Sequence, residues 1–216
     1  MSLFKFLRGK GFKTKLTHPA DTFWDLKLGI STWGHSDAPV DDGMPYSPAS
    51  YKSLETSLNK LGINSEDVFF DLGCGLGRPL FFVDYHYKPK KCIGVEANSA
   101  LVDMALKNTS HYRNKSHNIE IIHSLAQNVD FRDATIVYLY NPFQRKTVVA
   151  VLEQIKQSLI ENPRTVKIAY LNPIDDQVLR NCEWLKNTGS IKHSDIKSLN
   201  VGENQEIAVT TYESII

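Results

Sequence analysis

The chain of 216 residues has no apolar run approaching the roughly 20 residues that a membrane-spanning helix needs. A transmembrane segment is therefore not expected. Cysteine is scarce, with only Cys74, Cys92 and Cys182, and no CxxC spacing joins them. That excludes a disulfide framework or a zinc cage, and fits free thiols in a reducing, cytoplasmic setting. The seven histidines form no HxxxH or Cys/His pairing, and the six-residue spacing of His111, His117 and His123 suits neither a helix face nor a metal cage. No metal is expected. Charge of one sign is lacking too: 25 Lys and Arg stand against 24 Asp and Glu, a net +1. No whole-protein field advertises a nucleic-acid partner. Internal repeats and low-complexity linkers are absent, and 42% hydrophobic with 23% charged residues is ordinary globular composition.

What is present begins with a basic, aromatic start. Lys5, Arg8, Lys10, Lys13 and Lys15 interleave with Phe4, Phe6, Leu7 and Phe12. A terminus packing a few aromatics on the domain is the reading adopted over a membrane-surface or targeting segment, since an apolar core of a secretory signal is missing. Gly29–Pro48 is rich in Gly, Ser, Asp and Pro without periodicity and reads as an ordered loop or lid. A helix should follow, capped by Ser47 or Ser50, with Tyr51, Leu54, Leu58 and Leu61 on its apolar face.

An alternation comes next. Strands are expected at Val68–Leu72, Lys91–Glu96, Ile119–His123, Thr135–Tyr140 and Val166–Leu171. Helices are expected at Arg78–Tyr87, Ser99–Asn108, Thr147–Leu159 and Ile174–Cys182. Two further strands, Ile191–Leu199 and Gln205–Tyr212, flank the turn-like Asn200-Val201-Gly202-Glu203-Asn204. Repeated βα units imply a Rossmann-like α/β three-layer sandwich, its seven-stranded sheet mostly parallel. The closing antiparallel hairpin is unlike the ending of an NAD-binding domain.

The chemistry concentrates in Asp71-Leu72-Gly73-Cys74-Gly75-Leu76-Gly77, between an expected buried strand and an expected helix. Glycines there allow a tight turn and close approach of backbone to a ligand. The dinucleotide pattern GxGxxG would place its third glycine at Arg78, so this loop is not a pyrophosphate cradle of that kind. An acid at the strand end can instead face an ammonium group. Glu96, 19 residues past Gly77 at the end of the second strand, can accept both hydroxyls of a ribose. Together these fit S-adenosylmethionine (SAM), which has an ammonium and a ribose but no phosphate. An acid just after the third strand, common for holding an adenine amine, is missing: Leu125 stands there, between Ser124 and Ala126-Gln127.

At the end of the fourth strand, Tyr140-Asn141-Pro142-Phe143 lies where ligands bind in open α/β sheets. The Asn141 carbonyl and a backbone carbonyl can accept from an amine, Pro142 stiffens the turn, and Phe143 offers a π face to a cation. Asn172-Pro173 repeats the dipeptide and is read as strand-ending punctuation.

On these residues the chain resembles class I SAM-dependent methyltransferases of small bacterial type, over roughly residues 24 to 216. Tyr46-Ser47-Pro48-Ala49-Ser50 is also similar to a segment of non-SET protein-lysine methyltransferases. The resemblance implies that Tyr46 and Pro48 cover the methionine end of SAM. It implies cofactor contacts from Asp71, Gly73, Cys74, Gly75, Gly77, Glu96, Ala97, Leu125, Ala126 and Asn141, and catalytic roles for Asn141, Phe143 and Tyr46. Arg78-Pro79 is unusual after such a loop; Arg78 serves either an acidic substrate or the bracing of its helix. Residues 1–45 would form the basic segment and lid, and residues 46–216 the SAM-binding domain. The expected activity is methyl transfer to an amine nitrogen, for example a protein lysine. A small-molecule or nucleobase acceptor and a non-catalytic SAM-binding module stay open, as do the number of methyl groups and the oligomeric state.

Overall fold

The computed structural model describes residues 19–34, 40–114, 118–191 and 209–216. The basic stretch from Lys5 to Lys15, His117 and the turn from Asn200 to Asn204 lie outside them. Strands β1 (Val68–Leu72), β2 (Lys91–Glu96), β3 (Ile119–His123), β4 (Ile136–Tyr140), β5 (Lys167–Leu171), β6 (Leu185–Ile191) and β7 (Val209–Ser214) form one sheet. Its order is β3-β2-β1-β4-β5-β7-β6. The first five strands are parallel, and β7 runs antiparallel to both β5 and β6.

The central strands are buried on both faces, which their near-continuous apolar sequence demands. Val68, Phe70 and Leu72 of β1 point into one core, with Val137 and Leu139 of β4 and the apolar stripe of helix α5 (Arg145–Glu161). Phe69 points the other way, to join Ile136 and Tyr138 beneath helices α1 (Pro19–Leu28), α2 (Tyr51–Leu58) and α3 (Arg78–Tyr87). Helix α4 (Ser99–His111) packs over β2 and β3, and the short α6 (Asp176–Arg180) over β6. The outcome is the expected three-layer sandwich.

Local chemistry sets the helix starts. The Ser50 side chain accepts from the Ser53 amide to cap α2, and Asn98 accepts from Ala100 and Leu101 to cap α4. Helix α5 has no such cap of its own. Its first turn is held by Asp42, from far away in sequence: the Thr147 hydroxyl donates to Asp42 Oδ1 at 2.6 Å and the Thr147 amide to Oδ2 at 3.2 Å.

Two elements depart from the sequence reading. The strand that pairs with β7 is Leu185–Ile191, and the expected strand Ile191–Leu199 lies, apart from Ile191, outside the described residues. Polar residues fill Lys186–Ser190, and a register shift between Asn187 and Gly189 breaks the alternation that identifies a strand. Helix α1 carries no outward sign either. Its Asp21 and Asp25 are 4% and 5% exposed, whereas Phe23 and Leu26 are 59% and 65% exposed.

Candidate functional site

The loop after β1, the end of β2, the segment after β3 and the turn after β4 meet at the C-terminal edge of the sheet, as parallel-sheet topology dictates. They open onto a cleft of about 990 Å³, counting the part exposed to solvent. Tyr46, Pro48, Asp71, Gly73, Cys74, Glu96, Ala97, Leu125, Ala126, Asn141 and Phe143 all line it. Gly75 and Gly77 do not. The Gly75 amide instead donates to Glu96 Oε2 at 2.9 Å, and the Gly77 amide closes the loop on the Cys74 carbonyl at 2.8 Å.

The glycines are needed by φ and by space. Gly73 (φ 72°) and Gly75 (φ 54°) lie in the left-handed region, where a Cβ is strained. A Cβ on Gly73 would collide with Pro142, and one on Gly75 with the Tyr46 ring. The glycine loop thus touches both the β4 turn and the segment before α2.

The two acids of the cleft differ. Glu96 accepts from Gly75 on one oxygen and from Asn98, at 2.9 Å, on the other. A carboxylate can accept about four hydrogen bonds, so capacity is left for a hydroxyl donor. Burial raises its pKa, and the amide donors of Asn98, Gly75 and Ala97 oppose the shift. Asp71 is 2% exposed, and its Oδ2 is buried with no hydrogen-bond partner. Burial, and then the charge of Glu96, push its carboxyl well above the usual carboxylate range. A buried acid without a donor is costly unless a ligand supplies one. Cys74, beside it, is kept a thiol by burial first and by the two acids second.

On the other wall, Asn141 stands in the left-handed region at φ 42°, as does Asn172 at φ 51°, so both strands end in the same turn. Asn is among the few residues that tolerate this. The Tyr170 hydroxyl approaches Asn141 Oδ1 at 3.4 Å, and burial pushes that phenol up to about 12, leaving it a donor. Of the backbone carbonyls in the turn, Pro142 is already engaged: it accepts the Met44 amide at 2.8 Å, and Gly43 bridges Phe143. Residues 40–44 are thereby stitched to the turn, and Val40, Asp42, Gly43 and Met44 join the cleft wall. The sequence reading did not single out this contact or the Asp42–Thr147 pair. An acid in a loop and a threonine 105 residues later carry no shared pattern.

Tyr46 donates its hydroxyl to the Thr32 carbonyl at 2.6 Å. What it offers the cleft is its ring. Arg78, 1% exposed, braces rather than reaches outward: its Nε donates to Thr32 Oγ1 at 2.6 Å and its Nη1 to the Ala49 carbonyl at 2.8 Å. Asp21 and Asp25 lie 3.8 and 3.7 Å from the guanidinium. Among the described residues no helix is long and apolar enough to cross a membrane, and no cluster of metal-ligating side chains is found.

A sheet of this order with one reversed strand, and an acid-flanked glycine loop at the end of β1, is the class I methyltransferase architecture. Solved structures share it. An RNA methyltransferase from Salinibacter ruber, in complex with S-adenosyl-L-homocysteine (SAH), superposes with TM-score 0.55 at 18% identity, covering 78% of this chain and 92% of that one. Geranyl diphosphate C-methyltransferase from Streptomyces coelicolor gives 0.60 at 11% identity, covering 77% and 78%. At such identities the likeness is one of fold. The sequence match is narrower: the chain belongs to the family of the histone methylation protein DOT1, whose model matches residues 44–169, and with it to the class I SAM-dependent methyltransferases. A protein-lysine N-methyltransferase from Saccharolobus islandicus is 29% identical over 97 residues, which is 45% of this chain and 60% of that protein's length.

Proposed function

We propose that the protein transfers a methyl group from SAM to an amine nitrogen, and that the acceptor is a lysine side chain of another protein. The observation that carries the donor half is Asp71. Its partnerless, buried Oδ2 borders the same cleft as Glu96, a carboxylate with acceptor capacity to spare. The residues fit SAM: Asp71 would hold its ammonium, Glu96 its ribose hydroxyls, and the backbone from Leu125 to Ala126 its base. When bound, SAM supplies a methyl group activated by a sulfonium.

The acceptor half rests on the β4 turn. A protonated lysine must lose its proton before it can attack, at a cost of about 4–5 kcal/mol at pH 7. Met44, Pro142 and Phe143 give the cleft wall an apolar character that disfavours the ammonium form. The Asn141 amide, held by its strained turn, would orient the nitrogen in line with the methyl group. The Saccharolobus relative, named for lysine methylation, supports the same acceptor. In this reading residues 40–45, the described end of the expected lid, roof the site, and the body that binds the donor begins at residue 46. The three cysteines, all free thiols, suit a reducing compartment.

The test is a tritiated-methyl assay on cell lysate with protease and nuclease controls. Protease-sensitive counts, which Asn141→Ala reduces by about tenfold or more, support the proposal. Counts that survive protease and vanish with nuclease would move the acceptor to a nucleobase, and counts confined to small molecules would overturn the protein acceptor altogether.

A further inference from the structure

Arg78 begins α3 one residue after the last glycine of the donor loop, and it is the largest fully buried polar side chain described. A buried guanidinium is costly unless well partnered, and here Nη2 has no hydrogen bond and faces the Asp25 carboxylate at 3.7 Å instead. Every described partner of this one comes from the chain that precedes β1. Thr32 Oγ1 and the Ala49 carbonyl accept its hydrogen bonds. The Asp21 and Asp25 carboxylates face it, and the rings of Trp33 and Tyr51 lie 4.5 and 4.8 Å from its carbon centre. Arg78 and Ala49 border the cleft, but none of residues 19–34 does.

These anchor points bracket Tyr46. Its hydroxyl is tied to the carbonyl of Thr32, the residue whose side chain Arg78 holds, and Ala49 lies three residues beyond it. Its ring rests against Gly75 so closely that no Cβ fits between them. The Thr32 hydroxyl passes the linkage on, donating to Asp25 at 2.9 Å, and the Asp25 carboxylate also takes the Tyr51 hydroxyl at 2.6 Å.

We infer that Arg78 is a positioning residue for methyl-donor binding: acting through Thr32 and Ala49, it fixes the Tyr46–Ala49 wall over the donor loop, and so makes α1 and residues 29–34 part of the donor site without touching the ligand. The inference rests on the SAM reading above. It explains why an arginine follows the glycine loop here, and it assigns the N-terminal layer a task that its distance from the cleft hides.

SAH titration calorimetry at 10 °C on the full chain tests it, with thermal melts run alongside. Thr32→Val removes the hub hydroxyl but leaves the carbonyl that receives Tyr46, so the fold is kept. It should weaken SAH about tenfold. Placed on Tyr46→Ala, the same change should have no further effect, because the wall it positions is gone. Arg78→Lys, which keeps the charge and loses the fork, should also weaken SAH and should not restore binding to the wild-type level. A Thr32→Val protein that melts earlier yet binds SAH like the wild type would show a purely structural role and overturn the inference alone. Wild-type protein that does not bind SAH would instead overturn the donor reading, and the inference with it.

Discussion

Asp21 and Asp25 are as deeply buried as Asp71, at 4%, 5% and 2% exposure, yet their surroundings are opposite. Asp25 accepts from the Thr32 amide and hydroxyl and from Tyr51, Asp21 accepts from the Tyr51 amide, and the Arg78 guanidinium lies within 4 Å of both. Asp71 has a partnerless oxygen and, for its nearest charge, another acid. The lesson is that burial alone does not separate architecture from function. Satisfied acids hold the fold; an unsatisfied one at a cleft marks what the fold was built to bind.

Mutations can break that contrast. The largest effect should come from Asp25→Ala, which leaves the buried Thr32 amide and hydroxyl and the Tyr51 hydroxyl without their acceptor: we expect a loss of about 3–5 kcal/mol in urea unfolding. Asp71→Asn should do the reverse. SAH affinity should fall about a hundredfold as the ammonium loses its partner, while the ligand-free protein melts no lower and, above the raised pKa, higher. A destabilised Asp71→Asn protein with intact SAH binding would erase the distinction drawn between the two sites.

The pH dependence sharpens it. The folded-state pKa of Asp71 is raised, so its contribution to stability is full below the ordinary aspartate value and is lost as pH rises through the folded value. The ligand-free melting temperature should therefore decline across that window, and Asp71→Asn should reduce the decline, leaving the share of Glu96, whose carboxyl is raised too. An ammonium ligand favours the ionised acid. SAH should bind more weakly as pH falls through the same window, with proton release detectable by calorimetry in buffers of different ionisation enthalpy. The smallest effect is expected from Leu125→Asp, which supplies the missing base-binding acid: SAH should tighten by several-fold, within about 1 kcal/mol.

Most of the sheet was legible because buried parallel strands announce themselves as apolar runs bounded by turn residues. Val68–Leu72 and Lys91–Glu96 match the expected bounds, and β4 and β5 differ by one residue. That Asp71, Gly73 and Glu96 share one cleft was legible for a different reason: the glycine loop and the adjacent strand end are local and spaced regularly. What stayed hidden depends on contacts across the chain. Helix α1 presents acids inward because Arg78, more than 50 residues away, awaits them, so no apolar stripe reveals it. The Met44–Pro142 bond and the Asp42 cap of α5 likewise join segments with no common signal. Strand β6 lost its alternation to a bulge.

The sheet's two outer strands have a consequence for how the molecule tolerates crowding. An open strand edge is a template for a neighbouring chain. On β3 a salt bridge between Glu120 and Lys91 places opposite charges at one rim, and on β6 the irregular step at Asn187 and Gly189 twists the other out of a flat ladder. Both rims thereby depart from the flat, uncharged ladder that edge-to-edge addition favours.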